Sequence, residues 1–488
     1  MAGMTSETLD APPPTVDDRG PNVSPGAAAF LSFIFPGLGQ TSMGHVRRGI
    51  LFAIPTLAVP VLATALFLRG KVAIVGFLLS PGVLEALLAI NVAFAGYHVI
   101  AIVDAHRIAR RRRGASGWTR SSAAILSFLL LATIALHGAI EGLGYQASSA
   151  VAAIFLPGGD NGEFGIPEPS FAPTAQPSPT PPNTLPPTPS PTPGPVWAAD
   201  GRLNVLLIGA DAGPGRWSLR TDSMEVLSID VASGRAALFG FPRNQLNVPL
   251  PPESAGAFKD GRYPGLLNSL YVYAMGHPKQ FPGGDARGFR AVSGAIQQLI
   301  GVPLDGVVVV NLNGFVRLVN AIGGLWIDIP TAVHDGKYPL ENGSGDVSIS
   351  FKAGCQHLNG HFALAYARTR HQDSDYNRMG RQQLVLNALA HQVDPLALLP
   401  KVPDLLSIAK DDLWTTFAAS DAADLAELAD RVDRHSVQNI RFIPPKVPEF
   451  LTDAGLKVIQ DGVRNVFDTP PPSPAPSGSV APAAGHCG

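Results

Sequence analysis

Apolar positions change their rhythm twice along this chain. Up to about residue 140 they come in long unbroken runs: "GILFAIPTLAVPVLATALFL" (49–68), "VLEALLAINVAFAGYHVIAIV" (83–103) and "SAAILSFLLLATIALHGAI" (122–140). Each run has about the length a helix needs to cross a bilayer, which predicts three spans within a membrane module at 26–145. A shorter run, "GAAAFLSFIFPGLGQ" (26–40), ends in a Pro-Gly-Leu-Gly breaker and predicts a segment that dips into the membrane without crossing it, as does 72–80. Residues 1–25 carry no such pattern and are expected to be disordered. From about 200 to 468 the rhythm is that of an α/β domain. Short apolar runs at 203–209, 235–241 and 306–311 read as buried strands, and 3.6-residue periodicity at 288–300, 313–322, 381–393 and 421–433 reads as helices. "MEVLSID" and "GLWIDI" fit the same sheet.

Between these parts, residues 157–196 hold "PEPSFAPTAQPSPTPPNTLPPTPSPTPGP". Proline at nearly every second or third position excludes helix and sheet and predicts an extended spacer. At ~3.1 Å per residue, its roughly 30 proline-rich residues would reach on the order of 90 Å. Residues 469–488 return to Pro, Ser, Ala and Gly and predict a disordered tail.

Composition narrows the picture. Only 15 % of the 488 residues are charged, with a formal net charge of -2, so the chain has no global bias toward nucleic acid. Arg47 and Arg48 precede the first span, and Arg107, Arg110 to Arg113 and Arg120 fill the loop before the last. Basic loops beside apolar runs face the cytoplasm, which puts everything after residue 143 outside and the N-terminus inside. Cys355 and Cys487, the two cysteines, exclude a cysteine-built zinc site; in an oxidising space they could bridge or stay unpaired.

Candidate chemistry lies at strand ends, where ligands of α/β sheets bind. Asp211 follows the first strand, Arg220 and Asp222 precede the second, and Arg243 follows the third. "YARTRHQDSDYNRMGRQQ" (366–383) adds Arg368, Arg370, Asp373, Asp375, Arg378, Arg381 and Gln382. A helix beginning near Asp375 sets Asp375, Arg378 and Gln382 along one stripe, with the carboxylate at its positive end. A cap role for Asp375 and a surface pairing of Arg381 with Asp373 or Asp375 remain the bland alternatives. Guanidinium forks match phosphate oxygens two at a time, so this many arginines together call for an anion such as a diphosphate. Two aspartates in the same site call for a hard cation. No Walker loop accompanies them, and His357, His361 and His371 read as surface or packing residues.

"NVLLIGADA", "RTDSM", "FPRN", "GFVRLVNAIGGLWIDIP" and "AGCQHLNGHFALAYARTRHQDSDYNRMGRQQ", in this order after membrane spans, resemble the LytR-CpsA-Psr family over about residues 200 to 395, and more weakly to about 445. The resemblance implies an extracytoplasmic α/β domain with a central mixed sheet flanked by helices, anchored in the cell membrane. It implies a phosphotransferase that moves a glycopolymer from a polyprenyl diphosphate carrier to a cell-wall hydroxyl, typically in peptidoglycan. Asp211 and Asp222 would hold magnesium or manganese. Arg220, Arg243, Arg368, Arg370, Arg378, Arg381 and Gln382 would contact the diphosphate, with Asp375 positioning the arginines. The chain departs from the family at Asn244 and Asn320, where acidic residues are usual, and in having several spans instead of one. Two other readings compete: a non-catalytic binder of polyprenyl phosphate that regulates envelope assembly, and a pyrophosphatase in which water replaces the acceptor.

Overall fold

The computed structural model describes residues 23–69, 74, 77–78, 82–113, 119–155, 200–211, 221–339, 345–392, 401–418, 421–468 and 487. The proline-rich segment, the 72–80 run apart from three residues, most of the N- and C-terminal tails, and Arg220 therefore lie outside the described residues. The rest divides into two compact units: one made of residues up to 74 together with 85–144, the other of the remainder.

In the first unit, α1 (Pro25–Ile34) and α2 (Leu38–Ser42) account for the short apolar run. Ser24 caps α1 by accepting from the Ala27 amide, with Pro25 at the first helical position. Gly37 turns the chain at φ +102°, against the Gly49 carbonyl, where a Cβ would sit 2.2 Å from that oxygen. The buried Gln40 on α2 donates to the Ala101 carbonyl (2.9 Å) and to Asp104 (3.2 Å), and Arg48 pairs with Asp104 at 2.6 Å. Three longer helices follow: α3 (Val46–Leu68), α4 (Val83–Arg112) and α5 (Arg120–Phe155). All three are long and apolar enough to cross a membrane. They outrun the apolar stretches because helix continues through "HRIARRR" at one end of α4 and "GLGYQASSA" in α5, polar segments that retain helix-compatible residues.

The second unit is built on a six-stranded mixed sheet. Its strands are β1 (Arg202–Ala210), β2 (Thr221–Asp230), β3 (Ala236–Gly240), β6 (Gly306–Asn311), β11 (Leu413–Thr415) and β12 (Gln438–Arg441), in the order β11-β6-β1-β2-β3-β12. β2 runs antiparallel to both β1 and β3, while β6 is parallel to β1 and β12 to β3. Smaller pairs complete it: β4 (Val248–Pro249) with β5 (Arg262–Tyr263), β7 (Leu325–Ile329) with β10 (Gly354–Leu358), and β8 (Val333–Pro339) with β9 (Asp346–Phe351). The expectation that "GLWIDI" joins the main sheet is corrected here. Gly323 and Gly324, both at positive φ, turn the chain after the preceding helix so that β7 pairs with β10 instead.

Helices cover both faces of the large sheet. Of these, α6 (Leu270–Gly276), α7 (Arg287–Ile300) and α13 (Asp453–Arg464) pack on the face carrying Leu206, Ile208, Met224, Val226 and Phe239, the main core. Each such fully buried side chain contributes about 2 kcal/mol. The other face meets α8 (Leu312–Ala321), α9 (Gly360–Arg368) and α10 (Asp375–Gln392). On the same face α12 (Ala422–Arg431) sets Leu425 and Leu428 against Leu203, Val205 and Ile229, and α11 (Val402–Asp412) packs on α8. A disulfide joins Cys355 on β10 to Cys487, with Cα atoms 5.8 Å apart, so the bridged alternative holds.

Candidate functional site

The site begins with an irregularity between β1 and β2. Gly209 faces Ser223 and Ala210 faces Thr221, so Asp222 is an extra residue, a bulge that frees it from the alternation of the strand. Ser223 and Glu225 then share one face, and Asp222 reaches the same space. That space is a cavity of about 200 Å³ between the sheet and the three helices on its second face. Leu207, Val308 and Val310 form its floor, and Phe315, Leu318, Leu364, Ala367, Val385 and Leu389 its roof. Asp211, Asp222, Arg368 and Gln382 bring polar groups to it where β1 leaves the sheet. Arg368 Nη2 stands 3.7 Å from Asp211.

A chain of ion pairs continues from there. Arg243, just past β3, donates from Nη1 to Asp222 Oδ1 (2.7 Å) and from Nε to Asp375 Oδ1 (3.1 Å). Arg378 Nη2 donates to the other Asp375 oxygen and to the Asp222 carbonyl, both at 3.1 Å. Asn268 adds a donor to Asp222 Oδ1 at 3.2 Å, a contribution with no signal in the sequence. Asp375 opens α10, as its spacing from Arg378 and Gln382 predicts, and clamps two arginines at once. Arg243, Asp375, Arg370 and Asp373 also line a second, open and more polar cleft of about 730 Å³, together with Asn244, Asn268, Tyr263 and Tyr273. The Arg243–Asp222 pair thus links a greasy chamber to a polar cleft.

Burial pushes the Asp222 carboxyl up, but Arg243, Arg378 and Asn268 outweigh it and hold it below the usual carboxylate range. For Arg243, burial works against the charged form; Asp222 and Asp375 overcome it and raise the guanidinium above its ordinary value. Burial dominates at Arg378, helped by the neighbouring Arg243 and Arg381 charges, and lowers it. Most telling, Arg368 Nη1 and Arg378 Nε are buried N–H groups with no hydrogen-bond partner among the described residues. Buried donors of charged groups are rarely left unpaired.

Asp211 and Asp222 suit a hard cation. Both carboxylates line one cavity, and Asp222 Oδ2 makes no hydrogen bond among the described residues, Oδ1 taking both donors. No group of three or more His, Cys, Asp or Glu side chains stands ready to hold a metal among the described residues. The protein would therefore furnish two carboxylates and leave the remaining positions to phosphate and solvent, which is how magnesium is commonly held.

Other expected residues fall elsewhere. Arg381 is directed inward: it donates to Asp373 (2.6 Å) and to the Tyr366 and Thr369 carbonyls, and its side chain is 6 % exposed. Those bonds make it a brace for the turn before α10. Gln382 faces the apolar cavity while its neighbour Gln383 donates to buried Glu225. His357 stacks on Trp326, and His361 is exposed. His371 pairs through Nδ1 with buried Asp335, which Thr369 also holds.

The fold and site define a class: an α/β protein with apolar, membrane-length helices and an arginine-rich cluster beside an apolar chamber. The chain belongs to the LytR_cpsA_psr family, whose sequence model matches residues 182–454. It is 28 % identical over 204 residues to "Polyisoprenyl-teichoic acid--peptidoglycan teichoic acid transferase TagV" of Bacillus subtilis (strain 168), covering 41 % of this chain and 46 % of that protein. Over 225 residues it is 24 % identical to "Biofilm regulatory protein A" of Streptococcus mutans, covering 45 % and 51 %. The chain spans about half the length of the curated relatives it matches. The crystal structure of B. subtilis TagV superposes with a TM-score of 0.40 at 22 % identity, over 55 % of this chain and 98 % of that one.

Proposed function

We propose that the protein transfers a glycopolymer, together with one phosphate, from a polyprenyl diphosphate carrier to a hydroxyl of a cell-wall acceptor, probing peptidoglycan first because the name of the TagV relative specifies it. The carrying observation is the pair of unpartnered buried donors, Arg368 Nη1 and Arg378 Nε, in a site that borders an apolar chamber. An amphipathic anion answers both features. The chamber would take the first units of the prenyl tail. Arg243, Arg368 and Arg378 would contact the diphosphate, with Arg370 reaching from the polar cleft, and Arg220, outside the described residues, is proposed to join them.

In the transfer, a bond forms between the acceptor oxygen and the phosphorus that carries the glycan. The bond from that phosphorus to the bridging oxygen breaks, polyprenyl monophosphate leaves, and the proton of the acceptor hydroxyl passes to the departing phosphate or to solvent. The chain's task is to hold the reactants in line and to neutralise charge on the departing phosphate, which fixed guanidinium groups do in a site sheltered from water. Asp211 and Asp222 would hold magnesium or manganese, which would supply further neutralisation of the diphosphate. Arg243 and Arg378 cannot swing away to solvent because Asp375 tethers both. We further infer that the basic start of α3 at Arg47 and Arg48 and the basic end of α4 at 107–113 lie in the cytoplasm and that the second unit faces outward, where such an acceptor is found.

The test uses the full chain in detergent micelles with a polyprenyl diphosphate-linked saccharide, magnesium and peptidoglycan fragments, with products read by mass spectrometry. Glycan joined through phosphate to the acceptor is expected, and it should vanish in Arg368→Ala and on chelation. Release of lipid monophosphate without an adduct would replace transfer by hydrolysis. Retention of lipid with no bond made or broken would replace it by binding alone.

A further inference from the structure

The first unit holds polar side chains that anchoring does not require. On α4, Asn91 and His98 lie inside the apolar stretch 83–103; on α5, His137 lies inside 122–140, with Glu141 at its end. Ionisable groups at such positions are costly, and those that persist in membrane proteins mark ion or proton sites more often than ornament.

Their hydrogen bonds fix the protonation pattern. Asn91 Nδ2 donates to the His137 carbonyl (3.0 Å) and to Glu141 Oε2 (2.9 Å). The amide oxygen therefore faces His137 and accepts from its Nδ1–H at 2.8 Å. His98 Nε2 lies 3.0 Å from the Phe33 carbonyl, which can only accept, so that nitrogen carries the proton. Each imidazole is left with one basic nitrogen, Nδ1 of His98 and Nε2 of His137, and neither makes a hydrogen bond among the described residues. The two rings meet edge to face with centroids 5.9 Å apart. Both side chains are more than nine-tenths buried.

We propose that His98, His137 and Glu141 form a proton-binding site within the membrane unit, with Asn91 as the residue that orients it. The ligand is a proton, entering from the Glu141 end and held on the imidazole pair. An interhelical clamp would need only Asn91 and one partner; two adjoining imidazoles, each with a nitrogen that makes no hydrogen bond among the described residues, and a carboxylate one turn away exceed that need. Few other charges face the site. The packed helix α1 carries no titratable side chain, Tyr97 hydrogen-bonds the Phe52 carbonyl, and the Asp104–Arg48 pair lies more than one turn further along α4.

The experiment places the full chain, labelled with 15N-histidine, in lipid nanodiscs and follows imidazole resonances by NMR from about pH 5 to about pH 9, the range in which histidine changes charge. His137→Asn assigns the signal. The His137 resonance should titrate, and its midpoint should move by about half a pH unit or more in Glu141→Gln and in His98→Phe, variants that keep size and packing. An unchanging neutral tautomer across the range would overturn the proposal. So would a titration indifferent to both variants, since His137 would then be an isolated clamp. The transferase reading is untouched by either result, because transfer is assayed separately.

Discussion

At the scale of single residues, the two departures from the family pattern have local explanations. Asn320 accepts the Gly360 amide at 2.8 Å, so the amide oxygen does for the start of α9 what an acidic side chain would do. Asn244 donates to Glu449 Oε1, an acid that also accepts from Tyr376, and a carboxylate at 244 would repel it. Asp375 is the residue on which most depends. Asp375→Asn should lower transfer on the order of 10²-fold, since Arg243 and Arg378 lose their shared anchor, while the apolar chamber keeps its affinity for lipid; turnover and lipid binding measured side by side check this. Glu225 gives a stability prediction. Its burial beside the chamber, only partly relieved by Gln383, pushes its carboxyl up to about 8 from an ordinary 4.5. The folded form thus retains a proton that the unfolded chain gives up above pH 4.5. Stability contributed by this group is intact below that value, falls as pH rises through the window up to about 8, and is constant beyond. At pH 7 the loss is about 3 kcal/mol. Glu225→Gln should raise the melting temperature of the second unit at pH 8 and flatten its dependence on pH; equal melting shifts at pH 5 and pH 8 would contradict it.

At the scale of elements, the apolar runs foretold β1, β3, β6, α7, α8 and α12 closely, because a strand buried on both faces needs an unbroken run and an amphipathic helix needs its period, whereas α6, α9, α11 and α13 went unread. The start of α10 at Asp375 was legible for the same reason. What also escaped was everything set by pairing. The bulge at Asp222 depends on the register of β1 against β2, and the pairing of β7 with β10 depends on a turn at Gly323 and Gly324 that redirects a strand whose own pattern suits either sheet. That turn is testable. Gly324 sits at φ +97°, and a Cβ there would lie 2.5 Å from His357 Nε2 and 2.9 Å from the Leu358 carbonyl, so Gly324→Ala should destabilise the second unit by about 1–3 kcal/mol in a denaturant titration. The chamber is equally a product of assembly, since its roof comes from three separate helices and its floor from strands of the sheet. Ala367 is on that roof and almost wholly buried. Ala367→Phe should fill much of the space and weaken binding of a fluorescent polyprenyl phosphate about tenfold or more, with the Arg243–Asp375–Arg378 chain left in place.

At the scale of the whole molecule, the distribution of charge and the disulfide bear on one question, which side of the membrane the second unit occupies. Arginines gather at 107–113, the end of α4, and that asymmetry is a topological signal independent of the globular part. The Cys355–Cys487 bridge is a second, unrelated signal, because such bonds persist in oxidising compartments and are reduced in the cytosol. Sequence could offer the bridge only as one of two options, since nothing in the spacing of two cysteines reports their distance in space. The two signals agree, and their agreement can be put at risk in intact cells. Treatment with a membrane-impermeant phosphine followed by an impermeant maleimide should label both Cys355 and Cys487, with no labelling when the phosphine is omitted. Labelling that appears only after lysis would place the second unit inside, and with it would fall the cell-wall acceptor. Labelling without any reductant would mean that the cysteines are unbridged in the cell yet still outside, so the bridge would fall while the orientation stood.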